Sequence, residues 1–159
     1  MPPLGEDAAV PEDLPRWELS ERFGFSGPTD PALDKYVEET ATLSKAFHEK
    51  YEGKLKDVSL KQVISEYEQI SIRRGTVGSY LSLEYDTQLD NDEVKKRKDA
   101  LGQLQSQTYG DHLEWFSLDL AAMEEADLQV QYEKDPSLKE YKAYIDEERR
   151  FKPHNLAKE

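Results

Sequence analysis

Proline is absent from residues 32–135; all eight prolines of this 159-residue chain lie outside that span. No other residue disrupts the interior of a helix as strongly as proline does. Apolar residues recur through the span at spacings of three and four, which is the period of one face of an α-helix. The pattern predicts an all-α fold of long antiparallel helices, arranged as a hairpin or a bundle.

The first 28 residues have a different character. They hold five of the prolines and three of the eight glycines, and these residues break any long periodic segment. We therefore expect an extended N-terminal arm over residues 1–28 and one helical domain over residues 29–159. Large apolar side chains would attach the arm to the helices. They are Trp17, Leu19, Phe23 and Phe25.

The first predicted helix has a signal at each end. Asp30 is a candidate N-cap, and Pro31 suits the first helical position, where a missing N–H costs nothing. Gly53 suits the left-handed conformation in which many helices end. These signals predict a helix from Pro31 to just before Gly53.

A second helix is expected to begin near Ser59 and to continue to about residue 85. Gly75 and Gly78 stand in its middle, and each costs about 1 kcal/mol relative to alanine in a helix interior. The apolar face nevertheless continues on both sides of the glycines. We predict one long helix with a bend there, and two shorter helices are the alternative.

A third helix is predicted from about residue 92 to about residue 125, with Asn91 as its N-cap. Residues 99–133 hold eight acidic residues and no lysine or arginine. This run predicts one strongly negative helical face, and most such faces are simply solvated. The last helix is expected to begin at residues 135–136, an aspartate followed by proline, and to end at Pro153.

The net charge of −13 argues against two classes of partner. Binding to nucleic acid requires a basic surface that replaces the counterions of the phosphates, and attraction to an anionic membrane also requires basic residues. We therefore expect neither as a partner. The chain has no cysteine and no apolar run of about 20 residues that could span a bilayer. No signal peptide is visible, and the expected location is the cytoplasm.

Three histidines, His48, His112 and His154, are too far apart in sequence to form a local metal motif. His48 and Glu49 begin like the motif H-E-x-x-H, in which two histidines bind zinc and the glutamate is the general base. Glu52 occupies the position of the second histidine here. No nucleophile elbow and no phosphate-binding loop is present. The residues therefore predict no catalytic site and no metal ligands in this chain.

A metal-binding helical bundle is a further alternative, built on side chains of the first and third helices: His48, Glu49, Glu52 and His112. Ferritin-like sites of this kind combine glutamates with Glu-x-x-His motifs from facing helices. Lys45 and Tyr109 stand three residues before the two histidines, where that motif requires glutamate. The sequence therefore disfavours such a site.

Five short segments resemble the N-terminal region of the oligoendopeptidase F family, which is related to thimet oligopeptidase. The entry segment is LPRWELS at residues 14–20, followed by DP at residues 30–31. GSYLSLEY at residues 78–85 is similar to a signature of the family's second helix. The closing segments are DPSLKEY at residues 135–141 and RRFKPHNL at residues 149–156. Their order and spacing cover most of the chain and are more specific than any one segment.

The resemblance implies a zinc-dependent endopeptidase that hydrolyses short peptides. In that family an H-E-x-x-H helix and a downstream glutamate hold the zinc, and these residues would lie C-terminal to residue 159, so none is carried over to this chain. The family's N-terminal helices form part of the wall or roof of a deep substrate channel. The implied role is a non-catalytic domain whose partners are its own zinc-containing catalytic domain and short peptides. His154 would be a junction residue after the last helix.

Four residues near the glycines of the second helix are candidates for contact with a peptide. Two arginines could pair with a peptide carboxylate, and tyrosines combine apolar area with a hydroxyl group. The alternative is that both tyrosines belong to the core and both arginines pair with the acidic third helix. The candidates are Arg73, Arg74, Tyr80 and Tyr85.

A second function, from a different class, stays open at this point. The chain could be a stand-alone acidic helical module that binds another protein. Such a module would use its acidic face, or an edge formed by Trp115 and Leu118, as the binding surface. The coding sequence beyond Glu159 distinguishes the two functions, since only the peptidase requires an H-E-x-x-H segment there.

Overall fold

The computed structural model describes residues 18–154, and for His154 only the backbone. Helices occupy most of this range and it contains no strand, which confirms the all-α prediction. The α-helices are α1 (Leu19–Phe23), α2 (Pro31–Tyr51), α3 (Leu60–Asp86), α4 (Asp92–His112), α5 (Glu114–Ala122), α6 (Glu125–Lys134) and α7 (Lys142–Arg150). The described residues also form two 3₁₀ helices. The first is Pro136–Tyr141, and the second is Lys152–His154.

Side chains at the predicted N-caps satisfy backbone N–H groups that the first turn of each helix leaves free. The Asp30 carboxylate accepts a hydrogen bond from Ala32 N at the start of α2. Ser59 and Asn91 do the same for α3 and α4. At the other end of α2, Gly53 has a φ angle of 70°, in the left-handed region. The predicted starts of these three helices are confirmed.

Helices α2, α3 and α4 pack on one another. On α3, Arg73 contacts Thr40 and Glu66 contacts Tyr51, so residue numbers rise along α2 as they fall along α3. These two helices are therefore antiparallel. Contacts of α4 with both neighbours show that it runs antiparallel to α3 and parallel to α2.

Helix α3 runs without interruption through Gly75 and Gly78. A Cβ atom added at either glycine would meet no neighbouring atom within 4 Å, so neither position is needed for close packing against the described residues. The prediction of one long helix is confirmed, and the alternative of two shorter helices is wrong.

The predicted helix from residue 92 to residue 125 is wrong, because the chain turns twice within it. Leu113 separates α4 from α5, and Met123 ends α5 with an extended backbone. Both side chains are buried. Because α4 runs parallel to α2 and His112 lies beside His48, a straight helix would carry Phe116 and Leu120 past the end of α2. The break instead turns α5 back onto α7 and buries them.

The two ends of the chain also differ from expectation. Residues 18–28, predicted to be extended, contain the helical turn α1, which packs on α3. The last helical segment begins as the first 3₁₀ helix and becomes an α-helix only at Lys142; α7 ends at Arg150, before Pro153. The remainder of the predicted arm, with Trp17, lies outside the described residues.

Buried apolar side chains form two clusters on either side of the middle of α3. The smaller cluster, near α1, holds Phe25, Leu33, Val37, Val77, Tyr80, Leu81 and Leu101. The larger cluster joins the C-terminal end of α2 and the first half of α3 to α5, α6 and α7. Its aromatic centre is Phe47, Trp115 and Phe116. None of the helices described is long and apolar enough to cross a membrane.

Candidate functional site

Arg73 is held against α2 by several contacts at once. Its Nε atom donates to Thr40 Oγ1 at 2.9 Å, and its Nη2 atom lies 3.0 Å from a Glu39 carboxylate oxygen. The guanidinium also stacks over the ring of Tyr36, 3.8 Å from the centroid. The alternative, in which this arginine pairs with the third helix, is therefore wrong, since its partners lie on α2.

Arg74 faces the opposite neighbour, α4. Its guanidinium lies over the ring of Tyr109 at 4.8 Å, and its backbone carbonyl accepts a hydrogen bond from Gln105. The buried Nε atom has no hydrogen-bond partner among residues 18–154. Arg74 therefore packs on α4, which is the start of the predicted third helix, through an aromatic ring and not through an acidic residue.

Tyr80 is a core residue with no exposed surface. Its ring packs against Phe23 and Phe25 at centroid distances of 5.5 and 5.1 Å. Burial raises the pKa of the Tyr80 hydroxyl to about 12, because the charged phenolate would have to leave water. A peptide on the surface of this structure has no access to Tyr80.

Tyr85 is half-buried near the end of α3, with Lys98 Nζ 4.6 Å from its ring centroid. It lies eleven or twelve residues from the two arginines, a separation of roughly 17 Å along a helix. Arg73 and Arg74 themselves face different helices. The four candidates for peptide contact therefore do not form one site, and peptide contact stays a prediction for the three that have exposed surface.

The structure brings together two histidines that the sequence separates by 64 residues. His48 Nδ1 lies 3.2 Å from His112 Nδ1, and His48 Nε2 lies 2.7 Å from a carboxylate oxygen of Glu52. His48 and Glu52 share one face of α2, as the four-residue spacing suggested. The sequence grouped His112 with these residues only in the disfavoured metal-binding bundle, and no local pattern places it, at the end of α4, beside His48.

One donor in this cluster follows from Glu52. An ionised carboxylate only accepts hydrogen bonds, so His48 Nε2 is protonated and donates a hydrogen bond to it. The Nδ1 atoms of His48 and His112 lie within hydrogen-bond distance of each other, and the tautomers of the two rings decide which of them donates. The result is a chain from carboxylate to imidazole to imidazole that connects the C-terminal ends of α2 and α4.

The same geometry bears on metal binding. The ring centroids of His48 and His112 are 5.5 Å apart, and their Nδ1 atoms are 3.2 Å apart. With this Nδ1 separation the centroids could hardly lie farther from each other, so each Nδ1 is on the side of its ring that faces the other ring. The two nitrogens therefore point at each other and not at a third point where an ion would sit. Glu49 lies near Lys45 instead. Within the described part of the chain, no group of three or more histidine, aspartate or glutamate side chains could hold a metal ion.

Trp115 does not offer the interaction edge that the sequence suggested. Only 6% of its surface is exposed, its ring stacks near that of His48, and its Nε1 atom donates to the backbone carbonyl of His112. Leu118 is half-buried on the same helix. Trp115 therefore fills the junction between α4, α5 and α2 and offers little surface, and binding through Leu118 stays a prediction.

The acidic run also differs from its prediction. Its residues are distributed over α4, α5 and α6, with Glu124 just before α6, and therefore do not share one helical face. Basic side chains from other parts of the chain approach three of them. These ion pairs are Lys56 with Asp127, Arg149 with Glu125 and Lys152 with Glu124.

Two concave surfaces flank α3. One is a groove of about 460 Å³ between α1 and α3, where Gly75 and Ser79 leave room beside Leu83. The other, of about 240 Å³, lies between α3, the first 3₁₀ helix and α7. Its walls include the rings of Tyr67 and Tyr141.

The fold and these surfaces define the class of the protein as an acidic all-α domain with a long central helix. No known family model, curated protein or solved structure matches the chain.

Proposed function

We propose that this chain is the N-terminal helical domain of an oligoendopeptidase F-type zinc metallopeptidase of the cytoplasm. In this proposal it forms part of the wall of the substrate channel and has no catalytic activity by itself. The segments that resemble the family support the proposal, because three of them lie in α3 or pack on it; residues 135–141 contact its first half, at Lys61 and Glu68, and residues 78–85 lie near its end. Residues 78–85 lie in α3, and residues 135–141 include the first 3₁₀ helix, which packs on α3. The end of the entry segment lies in α1, which also packs on α3.

Exposed apolar side chains on the outer surface of the bundle are suited to contact with a further domain. Ile72 and Leu83 lie on an exposed face of α3, where small residues stand between them. Leu104 is exposed on α4. Isolated exposed leucines are common, but apolar residues beside small ones on one helix let another surface approach closely. We assign the docking of the catalytic domain to this face of α3.

The coding sequence is the most direct test of the proposal. We expect the reading frame to continue beyond Glu159 into a helix that carries H-E-x-x-H, with a further glutamate downstream. Such a continuation would provide the zinc ligands that this chain lacks. A stop codon directly after Glu159 would contradict the proposal.

A peptidase assay tests the absence of catalysis. The chain is incubated with a quenched fluorescent peptide and Zn²⁺, and we expect no turnover. Turnover that a chelator abolishes and that the variant His48→Ala lacks would assign catalysis to this chain and overturn the proposal. The variant Lys45→Ala, which changes an exposed residue on the same helix, is the matched control.

A further inference from the structure

The smaller concave surface is a pocket with an aromatic wall. It has a volume of about 240 Å³, and three tyrosines line it, one each from α3, the first 3₁₀ helix and α7. Its full lining is Ile64, Tyr67, Glu68, Ser71, Tyr141 and Tyr144. The volume is below the range of about 300–1,000 Å³ that is common for drug-sized ligands. It therefore suits one amino-acid side chain.

Glu68 gives this pocket a charge. Its side chain is exposed, and one carboxylate oxygen accepts a hydrogen bond from the Tyr141 hydroxyl at 3.2 Å. No lysine or arginine of the described residues forms an ion pair with it. Burial raises the pKa of Tyr144, and the nearby carboxylate of Glu148 raises it further. The pocket thus combines aromatic rings with negative charge, and no lysine or arginine is among the described residues that line it.

A second tyrosine–glutamate pair in the same protein does have its cation. The Tyr51 hydroxyl donates to Glu66 at 2.7 Å, as the Tyr141 hydroxyl donates to Glu68. There, Lys50 Nζ lies 2.9 Å from the same carboxylate and 4.6 Å from the centroid of the Tyr51 ring. The cation therefore contacts both members of the pair.

We propose that the pocket binds the side chain of an arginine or lysine residue in a short peptide. Ile64 and the tyrosine rings contact the aliphatic stem, and the cationic head pairs with Glu68 beside the rings. Arginine binds more tightly than lysine, because a planar guanidinium can stack on a ring and form two parallel hydrogen bonds to a carboxylate. The net charge of −13 increases the local concentration of such cations.

The binding is measured on the chain itself and requires no hydrolysis, so its outcome is independent of the peptidase proposal. The blocked peptide acetyl-Gly-Arg-Gly-amide is titrated into the ¹⁵N-labelled protein, and backbone shifts are followed by NMR. We expect saturable shifts in α3 around Glu68 and in the first 3₁₀ helix, with a dissociation constant on the order of 1 mM. The lysine peptide binds about threefold more weakly, and peptides with norleucine or glutamate instead show no saturable shifts.

Two variants decide whether Glu68 recognises the cation. Glu68→Gln keeps the shape of an exposed side chain and is expected to weaken binding about fivefold. Glu38→Gln removes the same charge from an exposed position on α2 and is expected to leave the affinity within twofold. Equal affinity of the Glu68→Gln variant, or equal weakening by Glu38→Gln, would overturn the proposal. Binding of free n-butylammonium without binding of the blocked peptides would overturn it as well.

Discussion

The Gln131 side chain forms hydrogen bonds to the backbone of the loop between α2 and α3. It is 4% exposed; its Nε2 atom donates to the carbonyls of Lys56 and Val58, among others, and its Oε1 atom accepts from Leu60 N. Buried backbone groups of a loop need such partners, because no water reaches them. One side chain on α6 therefore fixes a loop more than 70 residues away.

We expect the substitution Gln131→Leu to destabilise the protein by about 1–3 kcal/mol, because it leaves several buried backbone groups without hydrogen bonds. The free energy of unfolding is measured with urea. Gln129→Leu changes an exposed glutamine two residues away and serves as the control, with an expected change below about 0.5 kcal/mol. Similar losses in the two variants would show that the buried hydrogen bonds of Gln131 are unimportant.

The raised pKa of Tyr80 predicts how the free energy of unfolding changes at alkaline pH. The unfolded chain deprotonates this tyrosine near pH 10, whereas burial raises its pKa to about 12 in the folded protein. A raised folded-state pKa favours the protonated form, so the stabilisation is complete below pH 10 and is lost as pH rises towards 12. At pH 11 the loss from this residue amounts to about 1 kcal/mol.

The variant Tyr80→Phe is expected to lack this part of the alkaline loss. The buried Tyr80 hydroxyl of the original protein has no hydrogen-bond partner among residues 18–154, so its removal changes the free energy of unfolding little at pH 8. Urea unfolding of the variant and of the original protein is compared at pH 8 and pH 11. If both lose the same free energy between the two pH values, burial of Tyr80 does not govern the effect.

Among the elements, the starts of helices were predictable and the breaks within them were not. Asp30 and Asn91 act on N–H groups two or three residues away, so a short stretch of sequence contains the whole interaction. The break at Leu113 depends on how α4 lies against α2, which a local pattern cannot show. Stacking of His48 near Trp115 and the hydrogen bond to His112 at this break likewise follow from the packing of α2 on α4.

The hydrogen bond between His48 and His112 is expected to contribute to the contact of α2 with α4. We predict a coupling energy of about 0.5–1.5 kcal/mol at pH 8 from a double-mutant cycle that uses His48→Ala and His112→Ala. Urea unfolding of the single and double variants gives this value. A parallel cycle with His112→Ala and Lys45→Ala, which do not contact each other in the structure, is the control and should give no coupling. Additive effects of the two histidine variants would contradict the prediction.

For the whole molecule, the surface carries the functional proposals, since the core explains only stability. Ile72 is 55% exposed on α3, beside Gly75 and in line with Leu83. More than half of this apolar side chain is open to solvent in the described structure. The docking of a catalytic domain on this face would account for it.

We expect Ile72→Glu to leave the unfolding free energy of this chain within about 0.5 kcal/mol, because the residue is exposed. In the proposed peptidase, the same substitution should prevent the chain from copurifying with a separately expressed catalytic portion, because it places a charge in an apolar contact. Thr42→Glu, on an exposed position of α2, is the matched control and should copurify. Normal association of the Ile72→Glu variant would exclude this face as the docking surface.

The sequence by itself determined the all-α class and the residues that begin α2, α3 and α4. These features depend on hydrogen bonds and side-chain spacing within a few residues, so local patterns contain them. Only the tertiary structure decided the partners of Arg73, the pairing of His48 with His112 and the pocket that joins Glu68 to Tyr141. Those contacts connect residues 33 to 73 positions apart, and their geometry depends on how whole helices pack.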